Sequence, residues 1–376
     1  MNFDFSDEDK LIRDQTSRFL DDNCKPEVVR NVLEGEQDYC KELWRGMADM
    51  GLMATAIPEA YGGLGASYLS LCVIAEQLGA YLAPVPFSSS VYLATEAVIL
   101  YGSDSQKENW LPKLAAGEII ATLAVVETVH EVRPEEISVE FNQSSLSGKK
   151  LIVPDGGIAD IAIILAKDGD ELSLIIADLN DATVNCTTVD TVDPSRNSSS
   201  ISFDNTPAEL LGEGGKGWQK LQAIYDRAAV LFAFEQIGGA QKALDMAVKY
   251  ANERFAFGRP IGSFQGLKHM MADMYVALKL AESNCFYAAW ALANNSDDLA
   301  VSAATARISA SQAFQLCSRD NIQVHGGMGF TWEVDCHLFY RRSNYLTLVL
   351  GGLSVWEDKL IENLIEEKDK QMNSAA

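Results

Sequence analysis

The sequence predicts a mostly α protein interrupted by a β insert, and three observations predict it. Through residues 1–117 apolar side chains recur at helical spacing. At about Glu118 the texture changes to short runs rich in Val and Ile, separated by turn formers, and this continues to Leu211. From Trp218 the helical pattern returns and persists to about Glu367. The boundaries read from these changes are an N-terminal helical domain over 1–117, a middle β domain over 118–213 and a C-terminal helical domain over 214–376.

Each part has its own markers. Phe5, Leu11, Ile12, Phe19 and Leu20 make one apolar helix face, and Leu43, Trp44, Met47 and Met50 make another. Pro58, Gly62, Gly63 and Gly65 mark a loop in IPEAYGGLG, followed by a helix through Leu69–Leu78. GSDSQKENWLPKLAAG, from Gly102 to Gly117, reads as a capped turn with short helices. The β runs are IIATLAVV, SVEF, LIVP, IAIILAK, LSLIIADL and SISF, with turns expected at Ser145–Gly148, Asp155–Gly157 and Asp168–Asp170. They predict a small β-barrel or sandwich. The later segments Leu221–Tyr250, Gly266–Leu292, Leu299–His325 and Val355–Glu367 are long enough for an antiparallel bundle.

Composition narrows the function classes. The 376 residues exceed one typical domain, and 48% apolar residues with 10 prolines describe a globular chain. No run of eighteen apolar residues spans a membrane, and the acidic MNFDFSDEDKLIRD has no apolar core of a signal peptide. Seven scattered cysteines without CxxC spacing fit reduced thiols in a cytoplasm, and four lone histidines leave no metal pattern. The formal charge of −23 disfavours nucleic acid as a partner. An anionic ligand would need a local cationic pocket, for which Arg254 and the pair Arg341–Arg342 are candidate sources.

The richest segment is ERFAFGRPIGSFQGLKHMM, Glu253 to Met271. It places an Arg, a Phe-Gly pair and a Phe-Gln pair between two helical patterns broken by Gly258, Pro260 and Gly262. A guanidinium at a helix end suits a pyrophosphate, and a Gln amide suits an adenine or ribose edge. On spacing alone, a helix–helix corner with a capping Arg is an equal reading. His325, a lone histidine, fits hydrogen bonding or packing better than catalysis.

Four words in order, IPEAYGGLG, GSDSQKENWLPKLAAGE, ERFAFGRPIGSFQGLKHMMADM and QVHGGMGF, resemble the acyl-CoA dehydrogenase family over essentially the whole chain. The resemblance implies an N-terminal helical domain, a middle β domain and a C-terminal four-helix bundle, usually in tetramers. It implies FAD as cofactor, an acyl-CoA thioester oxidised to the 2-enoyl-CoA, and an electron-transfer flavoprotein as electron acceptor. It places Arg254 and Phe257 on the FAD pyrophosphate, Gln265 on the ADP moiety, and Gln323, Gly326 and Gly327 beside them. The family's substrate segment aligns with Tyr225–Ala229, making Asp226 and Arg227 candidates for acyl-CoA contact. An exposed ion pair near a helix start is the alternative for those two.

The chain departs from the family at the chemistry. The usual base, the Glu of a Tyr-Glu-Gly-Thr word, aligns with Gly351 in RRSNYLTLVLGGLS, and the second base position aligns with Ala228. Neither can take a proton. Asp226 is the first choice for a relocated base, and Glu235, two turns beyond Ala228, reads as a helix-packing residue. The flavin-ring word Thr-Glu-Pro…Gly-Ser-Asp is replaced by VVETVHEVRPEE, with Glu127 and Thr128 in reversed order. The Trp-Ile-Thr/Ser word is replaced by the run Gly148–Asp155. Three readings follow: a homo-oligomeric FAD enzyme, one subunit of a heterotetramer with another acyl-CoA dehydrogenase subunit, and a non-catalytic partner or CoA-thioester scaffold. Small residues at Gly351, Gly352, Ala228 and Ala229 leave room for a bulky acyl chain.

Overall fold

Described over residues 5–374, the computed structural model is mostly helical, with helices first, a β domain next and helices again. The N-terminal helices are α1 (Asp7–Asn23), α2 (Pro26–Leu33), α3 (Lys41–Asp49), α4 (Tyr68–Ala80), α5 (Glu96–Tyr101) and α6 (Asp104–Ala115). Capping boxes start α1 at Ser6 and α6 at Ser103, each hydroxyl accepting from the amide three residues on. Before α5 the chain runs as a π-helix over Ser88–Thr95, all eight residues buried. The chain divides into two compact units. One comprises residues up to Pro26, Cys72–Ala83 and the chain from Ala229 onward; the other comprises Glu27–Leu71 and Pro84–Ala228.

The second unit holds the β domain, with strands β1 (Ala121–Ala124), β2 (Glu140–Asn142), β3 (Ser145–Pro154), β4 (Ile161–Asp168), β5 (Glu171–Asp178), β6 (Val184–Thr188) and β7 (Ser198–Leu210). Pairings β4–β2–β3–β7–β5 return from β5 to β4 and close a circuit; β1 joins β4, and β6 joins β7. The IAIILAK run lies in β4, bonded on both sides, and is buried from Ile161 to Ala166. That is why it reads as a continuous apolar run and not as an alternation. The expected turn at Ser145–Gly148 is instead the start of β3. The reversal comes earlier, at Gln143 and Ser144, both at positive φ (49° and 64°), joining Asn142 to its partner Ser145. Polar, small residues on a two-faced strand mimic turn chemistry. β6 carries no apolar alternation and escapes the sequence pattern.

The first unit is helical. α7 (Gly217–Glu253) enters it at Ala229. A hairpin of β8 (Phe255–Ala256) and β9 (Arg259–Pro260) follows, then α8 (Gln265–Ala293), α9 (Leu299–His325), α10 (Cys336–Leu348) and α11 (Leu353–Ser374). α9 packs against α8, α10 and α11. It is tied to α7 by buried polar groups: Arg307 donates to Gln236 Oε1 at 2.7 Å, and the Gln236 amide donates to Ser311 at 2.9 Å. Arg342 of α10 is fully buried, donates to Leu82 O at 3.2 Å and lies 3.8 Å from Glu235. So Glu235 sits in helix packing, and Arg342 is committed to that core and does not serve a surface anion, contrary to the cationic source expected of it.

α4 and α7 cross through reciprocal glycines. A Cβ at Gly79 would lie 1.8 Å from Glu235 O, and one at Gly238 would lie 1.8 Å from Glu76 O. Each glycine admits the other helix's backbone, so neither tolerates a methyl group. Gly79→Ala and Gly238→Ala are expected to cost about 3 kcal/mol each, the upper end for overpacking, read as lower midpoints in denaturant unfolding. Gly266→Ala, within α8 where a Cβ meets nothing within 4 Å, is expected to leave the midpoint unchanged or raise it, since Ala favours a helix over Gly.

Candidate functional site

The residues assigned to a nucleotide by resemblance all fall in the first unit, on two adjoining chain reversals. The first ends α7. Arg254 N donates to Tyr250 O at 2.8 Å, and Arg254 O accepts from Ile261 N at 2.8 Å, closing the β8–β9 hairpin. Phe257 and Gly258 form its tip at positive φ (52° and 80°), and the Phe257 ring is 94% exposed. Arg259 lies 4.1 Å over the Phe264 ring, and Gln265 opens α8, its side chain exposed. The second reversal ends α9, where Gln323, Gly326 and Gly327 are exposed. Gly326 has φ 60° and ψ −137°, open to glycine and costly for other residues. No atom lies within 4 Å of a Cβ at Gly326 or Gly327, so both present bare backbone outward.

His325 joins the two reversals. Its ring stacks on Tyr250 with centroids 4.1 Å apart, and its Nδ1 lies 2.9 Å from Asn321 O. A carbonyl only accepts, so Nδ1 carries the proton and Nε2 is left as an acceptor. Burial pushes the imidazole pKa below its usual value. His325 therefore holds the loops together as a neutral ring, as its lone occurrence in the sequence implied.

These residues fit the nucleotide end of a flavin. Arg254 supplies a guanidinium, Gln265 and Gln323 supply amides, and the paired glycines allow close backbone approach. The chain offers the flavin ring much less, as the second unit shows. In the run Gly148–Asp155, which replaces the family's Trp-Ile-Thr/Ser word, Pro154 has no side-chain hydroxyl and no N–H. Its carbonyl accepts from Thr122 Oγ1 at 2.5 Å. The next residue, Asp155 (φ 54°), is buried, accepting from Ser89 at 2.5 Å and from Arg196 at 2.6 Å; Arg196 also donates to Ser88 at 2.8 Å. Glu127 receives the buried Lys150 ammonium at 2.5 Å and the Ser138 amide at 2.7 Å. These polar groups are engaged within the domain, and the ring does not fit the residues present.

The positions aligned with the family base are equally closed. Ala228 is fully buried. Gly351, in the turn between α10 and α11, has φ 94°, and a Cβ there would lie 3.3 Å from Val355 Cγ1. Asp226 is half-buried on α7. Arg227 does not make the exposed ion pair allowed for it. It is 8% exposed and bonds through Nε to Glu96 Oε1, while Tyr68 OH donates to both Glu96 oxygens at 3.0 and 2.7 Å. Sequence reasoning missed Glu96 and Tyr68. The available signal was one acid inside the apolar run SSSVYLATEAVILY.

Two family models match the chain: Acyl-CoA dehydrogenase, N-terminal domain, over residues 6–118, and Acyl-CoA dehydrogenase, C-terminal domain, over residues 215–363. Acyl-CoA dehydrogenase IpdE2 of Mycolicibacterium smegmatis is 34% identical over 349 residues, covering 92% of this chain and 95% of the relative. IpdE2 of Mycobacterium tuberculosis is 30% identical over 344 residues, covering 90% and 91%. Among solved structures, the ChsE4-ChsE5 complex from Mycobacterium tuberculosis superposes with TM-score 0.89 at 26% identity, covering 97% of this chain and 99% of that one. Butyryl-CoA dehydrogenase from Megasphaera elsdenii gives 0.91 at 24% identity, covering 97% and 100%. The chain belongs to the acyl-CoA dehydrogenase family.

No helix among the described residues is long and apolar enough to cross a membrane, and they contain no cluster of groups able to hold a metal ion. The seven cysteines are free, six of them buried.

The neutral His325 has a pH signature. A folded-state pKa below the unfolded value means the unfolded chain binds the proton more tightly, so stability falls as pH drops through about 6.5. Between about pH 7 and 5 the unfolding free energy is expected to decline with acid. In His325→Gln that part of the decline disappears, measured by denaturant unfolding across the range.

Proposed function

We propose that this chain is one subunit of a flavin-dependent acyl-CoA dehydrogenase, assembled with a second, different acyl-CoA dehydrogenase subunit in a heterotetramer. The complex converts an acyl-CoA thioester to the 2-enoyl-CoA and passes electrons to an electron-transfer flavoprotein. The observation carrying this reading is the split in the chain's own residues. The nucleotide set Arg254, Phe257, Gln265, Gln323, Gly326 and Gly327 is present and accessible, whereas Gly351 and Ala228 stand at the base positions and both ring-binding words are lost. In this assembly those six residues hold the ADP half of an FAD whose ring and base belong to the partner subunit. The family's four-helix bundle, the tetramer and a cytoplasmic location are part of the same proposal.

Three further observations support it. Large exposed apolar side chains concentrate in the C-terminal half, among them Phe255, Phe257, Val276, Leu280, Phe330 and Trp332. Such side chains, where they adjoin, serve as contact surfaces. A charge of −23 on each copy opposes self-association and favours a less acidic partner. The superposing ChsE4-ChsE5 structure is itself a complex of two chains. A second reading, a homo-oligomer using Asp226 as base, keeps some support because Asp226 is the carboxylate nearest in sequence to Ala228, on the same helix.

The visible spectrum separates these readings. The chain purified alone is expected to be colourless and to become yellow only when co-expressed with a partner acyl-CoA dehydrogenase. In that complex Arg254→Met, which removes the guanidinium, is expected to lower flavin content at least about tenfold, as loss of a charge-assisted hydrogen bond does. A yellow protein purified alone, bleached anaerobically by an acyl-CoA and inactive as Asp226→Asn, would establish the homo-oligomeric reading instead.

A further inference from the structure

Between the two reversals of the nucleotide site stands a pair of stacked rings to which the resemblance gives no part. The Tyr250 and His325 rings lie 4.1 Å apart between centroids, with 23° between their planes. His325 is 7% exposed, and Asn321 O fixes its tautomer by accepting from Nδ1. Nε2 is therefore the ring's acceptor. Among the described residues nothing bonds Nε2, and it is not an enclosed atom, so it opens to solvent. The same holds for the Tyr250 hydroxyl. The chain fixes where these atoms lie. Tyr250 O accepts from Arg254 N one helical turn on, and His325 stands two residues after Gln323 and directly before Gly326. Packing alone would be served by a hydrocarbon ring, which has no acceptor to desolvate.

We infer that His325 Nε2 is a further nucleotide contact, accepting a hydrogen bond from the adenosine of the flavin dinucleotide, from a ribose hydroxyl or the adenine amino group. This rests on the flavin reading above and specifies which part of the nucleotide the ring meets. The sign of the hydrogen bond decides it. Nε2 only accepts while Nδ1 holds the proton, and a pyrophosphate at neutral pH also offers only acceptors. The two would repel unless the ring were protonated, and burial works against that proton by holding the imidazole pKa below its usual value. The pyrophosphate is left to the Arg254 guanidinium, which only donates. On the adenosine side the ribose hydroxyls and the adenine amino group carry donors. Gln265 and Gln323 can turn either end of an amide toward a ligand. His325 can offer only an acceptor, so it is the group in this set able to refuse a changed base or sugar.

The test is calorimetric titration of FAD and two analogues into the full chain stripped of flavin, together with its partner subunit where the two co-purify. One analogue lacks both hydroxyls of the adenosine ribose. The other carries hypoxanthine in place of adenine, with an oxygen where the amino group was. At least one of them is expected to bind about tenfold more weakly than FAD, the worth of one good hydrogen bond. His325→Phe keeps a ring against Tyr250 and removes the acceptor. It is expected to weaken FAD about tenfold and to bring one analogue within about twofold of FAD, and that analogue names the donor. Equal affinities for FAD and both analogues in the unsubstituted protein would overturn the inference without any variant having to fold. An unchanged FAD affinity or an unchanged preference in folded His325→Phe would overturn it too, and either result leaves the flavin reading standing. Absence of FAD binding by the unsubstituted protein with its partner would overturn both.

Discussion

The crossing of α4 over α7 at Gly79 and Gly238 is the contact on which much else in the helical unit depends. Two helix backbones approach until each carbonyl occupies the place of the other's missing Cβ. This fixes the helix near Gly238, and a rigid helix carries that position on to its C-terminal end. At the C-terminal end, Tyr250 takes its stack on His325, and Arg254 closes the hairpin that presents Phe257. A displaced crossing would misplace both reversals together. Adjacent polar groups reinforce it: Glu235, whose carbonyl faces Gly79, lies beside Arg342, which in turn donates to Leu82 O just after α4.

The chain's cations divide by task. Arg196, Arg227, Arg307, Arg342 and Lys150 are buried and committed to nearby acids, amides or backbone carbonyls. Arg307 is pulled by burial to a pKa of about 9 despite the nearby Glu235. Arg254 and Arg259, in contrast, are exposed on the β8–β9 hairpin. In a protein with 53 acidic and 30 basic residues, a solvent-facing cationic hairpin is a local exception to the acidic surface field. That contrast, more than either arginine alone, sets the hairpin apart as a place for an anion.

The long helices are legible in the sequence because their apolar period runs unbroken. Leu299–His325 is readable to both its ends, and α8 begins one residue before the predicted Gly266. α10 does not stand out as a helix, because Arg341–Arg342 and the polar Ser343–Asn344 interrupt its apolar stripe; burial of Arg342 is a tertiary choice that no local period reveals. The same limit applies around Arg227. Its partner Glu96 lies 131 residues away, and nothing local pairs them. Gly351 is visible as a missing carboxylate, but its left-handed backbone is not. Side-chain losses show in a sequence, whereas long-range pairing and backbone strain require the fold.

The closed strand circuit governs how this chain can meet another. β4, β2, β3, β7 and β5 each engage their hydrogen-bonding edges with one another, leaving β1 and β6 as the outer strands. β1 is four residues long and wholly buried, while β6 is five residues long, mostly exposed and polar. Such edges are poor templates for a neighbouring strand. Molecules of this protein crowded together therefore have little opportunity to extend each other's sheets, which guards against fibrous growth. Assembly is therefore left to side chains, where shape and charge can distinguish an unlike subunit from an identical one.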